Sequence, residues 1–473
     1  MDQAMLLQKL LNPWNQRPQC LKRESSFLPM PMNFIGKWTM TLLRILFTAY
    51  VSVMQTRWIT SLFIFFVCFG LNAQRKEVLL FTDSLCSPGL HGRGYVNEGE
   101  AKAATFIEKT FRIIGLSPIN GTYDQVFKFS VNSFPDSCRL TIGTSEIQPG
   151  KGFIVHPSSG SAFGNFKTKE LSREEVFQDY VKLTRYIETL PSECVVVVNS
   201  TKYKGDSLKI VRKQLQQIAN YRPLIELVNE KFTWSVSQNQ QKFAYLQLQD
   251  SLYENPTSVN LAVKNLFIQH HQARNVMGYL PATKSTKKTL LVSAHYDHLG
   301  RMGSACYFPG ANDNASGTAM LVELALRLKE KKKRKYNVLF VAFAGEEVGL
   351  LGSAFMVKHP PVPLTDIRFQ LNLDIMGSGE EGITAVNATL FPKEFQRLVK
   401  LNKKLNSVST VKPRGTAANS DHYFFTEAGV PAFFIYTMGP NKHYHDIFDT
   451  YDELSFKAFE SLAFLFESFL LGF

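Results

Sequence analysis

His295, Asp313, Glu346, Glu347, Asp374 and His445 are the side chains of this sequence whose types suit chemistry on bound metal ions. Each follows a short apolar run or a turn. LLVSA precedes His295, PGAN precedes Asp313, VLFVAFAG precedes the two glutamates, FQLNL precedes Asp374, and AFFIYT leads into the loop with His445. Histidine and carboxylate ligands without cysteine suit zinc in a catalytic rather than a structural site. Two such ions about 3.5–4 Å apart can share one carboxylate and one hydroxide. The residues divide accordingly. Asp313 is the bridge, His295 and Asp374 hold one ion, and Glu347 and His445 hold the other. Asp297, two residues beyond His295, is expected to accept its second ring N–H and so fix the tautomer. Glu346 is left unligated. It is the expected general base, taking a proton from metal-bound water and returning it to a leaving amine.

Taken one at a time, these residues have plainer explanations. An Asp or His at a strand end usually caps a turn, and adjacent glutamates usually sit on a solvated face. Here Glu346 and Glu347 directly follow a run with the character of a buried strand, where a surface pair is less natural. His443 competes with His445, and His298 has no assigned task. Ser420-Asp421-His422 lacks the G-x-S-x-G context of a nucleophile elbow, which argues against a serine triad.

The elements that must position these groups read as regular α/β. Strands are expected over 289–294, 337–344, 369–373 and 432–436, with helices over 319–328 and 392–405. The strands are apolar throughout, which implies a sheet covered on both faces. Ligands in such sheets collect at the carboxyl ends of the strands, where all six residues fall. Upstream, Ala103, Phe106, Ile107, Thr110, Phe111 and Ile114 form one stripe of a helix that Gly115 stops. Residues 143–256 carry three strand-like runs and a helix but no catalytic constellation. They read as a smaller α+β domain inserted into the main one, so that 74–142 joins 257–473.

The sequences HYDHLG, PGANDNASG, AGEEVGLLGS, LNLDIMG, SDHYFFTEAGVPA and YHDIFDT, in that order, resemble the M28 family of zinc aminopeptidases. HGRGYVNEGEAKAATFIEKTFRIIGLSP is similar to the N-terminal helix region of that family. The resemblance implies a three-layer α/β/α mixed sheet of the zinc-exopeptidase, phosphorylase/hydrolase-like type, and two Zn2+ per chain. It implies His295, Asp313, Glu347, Asp374 and His445 as ligands and Glu346 as base. Asp449-Thr450 after His445 decides for His445 over His443. By the same likeness, Tyr444 helps to stabilise the oxyanion and the inserted module is similar to a protease-associated domain. The implied activity is removal of N-terminal residues from peptides through a metal-bound hydroxide. A carboxypeptidase or a glutaminyl cyclase on the same fold is the alternative.

Composition supports a folded chain. The 473 residues are 45% hydrophobic and 12% aromatic, enough for substantial cores. The formal charge of +13 includes +5 from residues 1–73, and the run Lys329 to Lys335 reads as a solvated helix end. No aromatic platform accompanies that run, so a nucleic-acid partner is not expected. Residues 1–73 read as an extension and a signal peptide, with an apolar run at 58–71 and the small Ala73 at the cleavage point. Export to the periplasm or beyond is the expectation, with membrane association only if that segment is retained. Cys86, Cys138, Cys194 and Cys306 match no metal knuckle.

Overall fold

A computed structural model describes residues 77–473, of which 81–473 form one compact unit. The extension and signal-peptide readings fall on residues outside the described ones.

The helix α1 (Gly99–Ile114) buries the stripe read from the sequence, and Gly115 ends it at φ 79°. The chain then builds two eight-stranded sheets. One is ordered β1-β10-β12-β11-β13-β16-β14-β15, formed by β1 (Asp124–Ser133), β10 (Leu266–Leu280), β11 (Thr289–His295), β12 (Asn337–Phe343), β13 (Ile367–Asp374), β14 (Gly382–Val386), β15 (Val411–Pro413) and β16 (Ala432–Met438). Its centre, β12-β11-β13-β16, is parallel, while β10 and β14 flank it antiparallel. Every residue of β11 and β12 is buried, as expected of strands covered on both faces.

The covering helices account for that burial. The helices Gly317–Glu330 and Phe459–Leu471 pack on each other, and the former packs on β11, β12 and β13. On the opposite face, Met356 of the helix Leu351–Lys358 and Phe425 of Tyr423–Glu427 join Leu291, Leu339, Val341 and Phe343 in one cluster. The result is the three-layer α/β/α arrangement. The basic run after Glu330 caps a helix: Arg334 donates to the Leu328 and Lys329 carbonyls at 3.2 and 3.3 Å, where cations complement the helix dipole.

The second sheet is ordered β3-β2-β9-β5-β6-β7-β8-β4. Its strands are β2 (Cys138–Ile142), β3 (Ser145–Ile147), β4 (Phe153–Val155), β5 (Ala162–Glu170), β6 (Cys194–Asn199), β7 (Leu224–Val228), β8 (Tyr245–Gln249) and β9 (Ser258–Val263). Both β2 and β9 lie outside the expected boundaries of 143–256, yet they pair with each other and β9 pairs with β5. Those boundaries therefore cut through this sheet, which runs from Cys138 to Val263. The helices Tyr180–Thr189 and Gly205–Ile218 cover one face through Leu183, Ile187, Val211 and Leu215. The other face shares a core with Leu299, Met302, Cys306 and Phe308 from the loop after His295. Cys86, Cys138, Cys194 and Cys306 are free buried thiols, and burial pushes the Cys86 thiol up to about 12.

Candidate metal centre

The parallel strands β11, β12, β13 and β16 end on one edge of the sheet. His295 is the last residue of β11 and Asp374 the last of β13. After β12 the chain turns at Gly345, whose φ of 68° favours glycine, and this brings Glu346 and Glu347 back over the edge. Asp313 sits at the tight turn before the helix Gly317–Glu330, and His445 in the loop after β16.

The two imidazoles explain the arrangement. His295 Nδ1 lies 3.2 Å from the Asp297 carbonyl, and His445 Nδ1 lies 2.9 Å from the Trp234 carbonyl. A carbonyl only accepts, so each Nδ1 carries the proton and each Nε2 of a neutral ring carries a lone pair. His295 Nε2 faces Asp313 Oδ1 and Asp374 Oδ1, both at 3.3 Å. His445 Nε2 faces Asp313 Oδ2 at 3.0 Å and Glu347 Oε2 at 3.2 Å. Lone pairs aimed at carboxylate oxygens repel unless a proton or a metal cation lies between them. Asp313 offers one oxygen to each histidine, which is the geometry of a bridging carboxylate.

The remaining carboxylate oxygens are held by the protein. Glu347 Oε1 is bonded to His298 Nδ1 at 2.7 Å, which gives the buried His298 the task it lacked. Asp374 Oδ2 accepts from Ser420 Oγ at 3.2 Å, while its Oδ1 is buried without a hydrogen-bond partner. Asp449 accepts the backbone N–H groups of Asn312 and Asp313 at 2.8 and 3.0 Å and so fixes the bridge from behind. Burial pushes the Asp449 carboxyl up to about 7 against these two bonds. The donor set thus fits two zinc-type ions: one nitrogen and one carboxylate each, plus a shared carboxylate.

Electrostatics agree with a site built for positive charge. Burial opposes a charge on His445, but Glu347 and Asp313 outweigh it and raise its pKa to about 11. Burial likewise opposes a charge on His295, and Asp374 and Glu346 outweigh it there. Glu346 stands apart. Among the described residues no hydrogen-bond donor orients its carboxylate, and burial, reinforced by Glu347, Asp421 and Asp374, holds it well above the usual carboxylate range. Single oxygens of Glu346 and Asp374 and a ring nitrogen of His295 also lie within 4.8 Å of one another.

Asp297 differs from its expected role. Its backbone carbonyl, not its carboxylate, meets His295 closely; the carboxylate is 3.9 Å from Nδ1. Instead the carboxylate accepts from the backbone N–H groups of Glu346 and Glu347 at 3.2 and 3.3 Å and from the Tyr95 hydroxyl at 2.7 Å. It therefore positions the two glutamates. Tyr444 is exposed and stacks on His445 with ring centroids 4.0 Å apart. His443 stays outside the cluster, 3.4 Å from Asp446.

Arg93, which sequence reasoning did not single out, is fully buried. It donates to the carbonyls of Leu85, Tyr296, Pro309 and Gly310 at 2.7–2.9 Å, tying the loop after His295 to the turn before Asp313. Its signal was the Gly92-Arg93-Gly94 context. A Cβ on Gly94 would lie 2.3 Å from the Cα of Gly300, so only glycine permits that approach.

Residues 275–470 match the model of peptidase family M28. Among curated relatives, Aminopeptidase YwaD of Bacillus subtilis is 31% identical over 166 residues, 33% of this chain and 34% of that one. A probable zinc metalloprotease of Pyricularia oryzae is 40% identical over 106 residues, 22% of this chain and 21% of that one. The chain thus matches only about a fifth to a third of the length of these relatives. In fold it is similar to the crystal structure of BSAP, a zinc aminopeptidase from Bacillus subtilis. The TM-score is 0.61 at 17% identity, covering 84% of this chain and 94% of that one. The segment that supplies every candidate metal ligand and Glu346 lies within residues 275–470, the stretch that matches the model of peptidase family M28.

Proposed function

We propose that the protein is a two-zinc exopeptidase that removes N-terminal residues from peptides. The observation that carries this reading is the pair of imidazole Nε2 atoms set against the two oxygens of Asp313, at 3.3 and 3.0 Å. His295, Asp374 and Asp313 would hold one ion, and His445, Glu347 and Asp313 the other. Bound there, two zinc ions supply Lewis acidity towards a peptide carbonyl and make water acidic enough to attack it. Glu346, oriented through its backbone by Asp297, takes the proton from the attacking water and passes it to the leaving amine. Burial raises its pKa, which favours proton uptake from the attacking water. Tyr444, whose ring stacks on His445, would donate its hydroxyl to the developing oxyanion.

Peptides with free and acetylated N-termini test the reading. Cleavage confined to free N-termini is expected, and equal cleavage of both would overturn it. Glu346→Gln should abolish turnover and leave zinc content unchanged; zinc loss would make Glu346 a ligand and place the base elsewhere. The proposal includes export, supported by the apolar run at 58–71. The mature chain is then expected to begin near Gln74, and one that retains residues 1–73 would refute this part.

A further inference from the structure

A surface cavity of about 490 Å3 lies outside the metal centre but shares a loop with it. Its lining includes Lys151, Lys231, Phe232, Lys442, Asp446 and Phe448. We propose that this cavity binds a carboxylate of the peptide substrate, an inference that rests on the peptidase function above.

The charge balance points to an anion. Three ammonium groups face one carboxylate, and that carboxylate is already engaged: Asp446 Oδ2 lies 2.5 Å from Lys231 Nζ, and Oδ1 accepts from the Phe448 N–H at 2.8 Å. Lys442 donates only to the Gly439 carbonyl, at 3.1 Å. Neither Lys442 nor Lys151 has an ion-pair partner among the described residues, so two positive charges remain uncompensated. Phe232, 8% exposed, and Phe448 give the cavity apolar walls, against which a charge–charge contact is less screened than in open water.

Position ties the cavity to the substrate. Lys442, Asp446 and Phe448 lie on both sides of His445 in one loop, and Phe232 is two residues before Trp234, whose carbonyl holds the His445 ring. Lys442 is three positions before His445, at most about 11 Å of extended backbone. A bound peptide covers the same span in about three residues. The carboxylate would come either from an acidic side chain near the scissile bond or from the C-terminus of a short peptide.

Steady-state kinetics on the zinc-loaded full chain separate these cases. The substrates are Leu-Gly-Gln-amide, Leu-Gly-Glu-amide and Leu-Gly-Gln with a free C-terminus. At least one carboxylate-bearing peptide is expected to show a lower KM than the neutral amide, and which one identifies the source. Lys151 sits between β3 and β4 of the second sheet, so Lys151→Glu leaves the loop that carries His445 unaltered. It should reduce that preference by about fivefold while leaving KM and kcat for the neutral amide unchanged. Lys442→Gln should move the preference in the same direction. Equal kinetics on all three peptides in the unmodified protein would overturn the inference and leave the aminopeptidase reading standing. So would a Lys151→Glu loss shared by all three. Cleavage of none of them would overturn both.

Discussion

Asp297→Asn tests how the site keeps two adjacent glutamates in different roles. In the structure Oδ1 accepts the Glu346 N–H at 3.2 Å, while Oδ2 accepts the Glu347 N–H at 3.3 Å and the Tyr95 hydroxyl at 2.7 Å. An asparagine has one carbonyl oxygen to replace these two. Placed where Oδ2 stands, it keeps the bonds to Glu347 and Tyr95 and turns its NH2 against the Glu346 N–H. The reverse orientation loses the Glu347 bond and turns the buried Tyr95 hydroxyl from donor to acceptor, which takes its proton off Asp297, so the first should prevail. The variant then releases the backbone of the base and keeps that of the ligand. A buried hydrogen bond to a charged acceptor contributes about 1.5–3 kcal/mol. If about 2 kcal/mol of this is felt at the Glu346 carboxylate in the transition state, kcat falls by about 30-fold. Zinc content should match that of the unmodified protein and KM should change little. The assay is kcat and KM on a peptide with a free N-terminus, with metal analysis of the same preparation. A kcat within about threefold of the original would refute the positioning argument. Loss of zinc with the activity would mean that the carboxylate serves His295 after all. Tyr95→Phe removes only the phenol and leaves both backbone bonds, so its effect on kcat should be smaller.

Three further outcomes follow from the geometry. Asp313→Asn replaces one of two oxygens that face His295 and His445, so both ions should bind more weakly; retention of two tight zincs on dialysis against a chelator would exclude the bridge. Arg93→Lys cannot keep four carbonyl partners and should cost about 3 kcal/mol or more by urea unfolding; an unchanged midpoint would deny Arg93 its organising role. Metal-free protein should melt at a higher temperature at pH 5 than at pH 8. Burial raises Asp297 to about 6 and Asp421 and Asp449 to about 7, from about 3.9 when unfolded, so the folded state gains from their protonation and loses that gain as pH rises through these values. His445, raised to about 11, adds stability in the same direction, fully present below about 6.5 and diminishing above it. A melting temperature that climbs from pH 5 to 8 would contradict this, and bound zinc should remove the acid preference.

The parts of the site that were legible share a physical cause. A strand buried on both faces is largely apolar, and the buried Ser293, Gln370 and Asn372 bond to one another and to Ser420, so a histidine or carboxylate at its end is conspicuous, as with His295 after Leu291 and Val292 or Asp374 after Leu371 and Leu373. What escaped notice, or was given another role, acts mainly through backbone atoms. Trp234 holds His445 with its carbonyl, Arg93 binds carbonyls, and Asp449 and Asp297 accept backbone N–H groups. No residue pattern marks which carbonyl a side chain will meet after folding. The limits of the second sheet were hidden for a related reason. In β9 burial alternates in part, with Val259, Leu261 and Val263 inward, and such a pattern fits the edge of either sheet until its partner is known.

That second sheet bears on what the insert is for. The backbone N–H of Trp234, in the loop between β7 and β8, donates to the His445 carbonyl at 2.9 Å, and the His445 ring returns the contact to the Trp234 carbonyl at 2.9 Å. The Trp234 indole in turn donates to Val155 of β4 at 2.7 Å and stacks on Phe308 with centroids 4.6 Å apart. One candidate zinc ligand is therefore oriented by the insert and not by the sheet that carries it. His445 sits at a φ of 52°, a conformation costly for a β-carbon-bearing residue and one that such a reciprocal pair of bonds can hold. A module that only covered the cleft would need no bond to a ligand's ring. Here the site closes when the two sheets have packed, and the same contact gives the carboxylate-binding cavity a direct route to the geometry of His445.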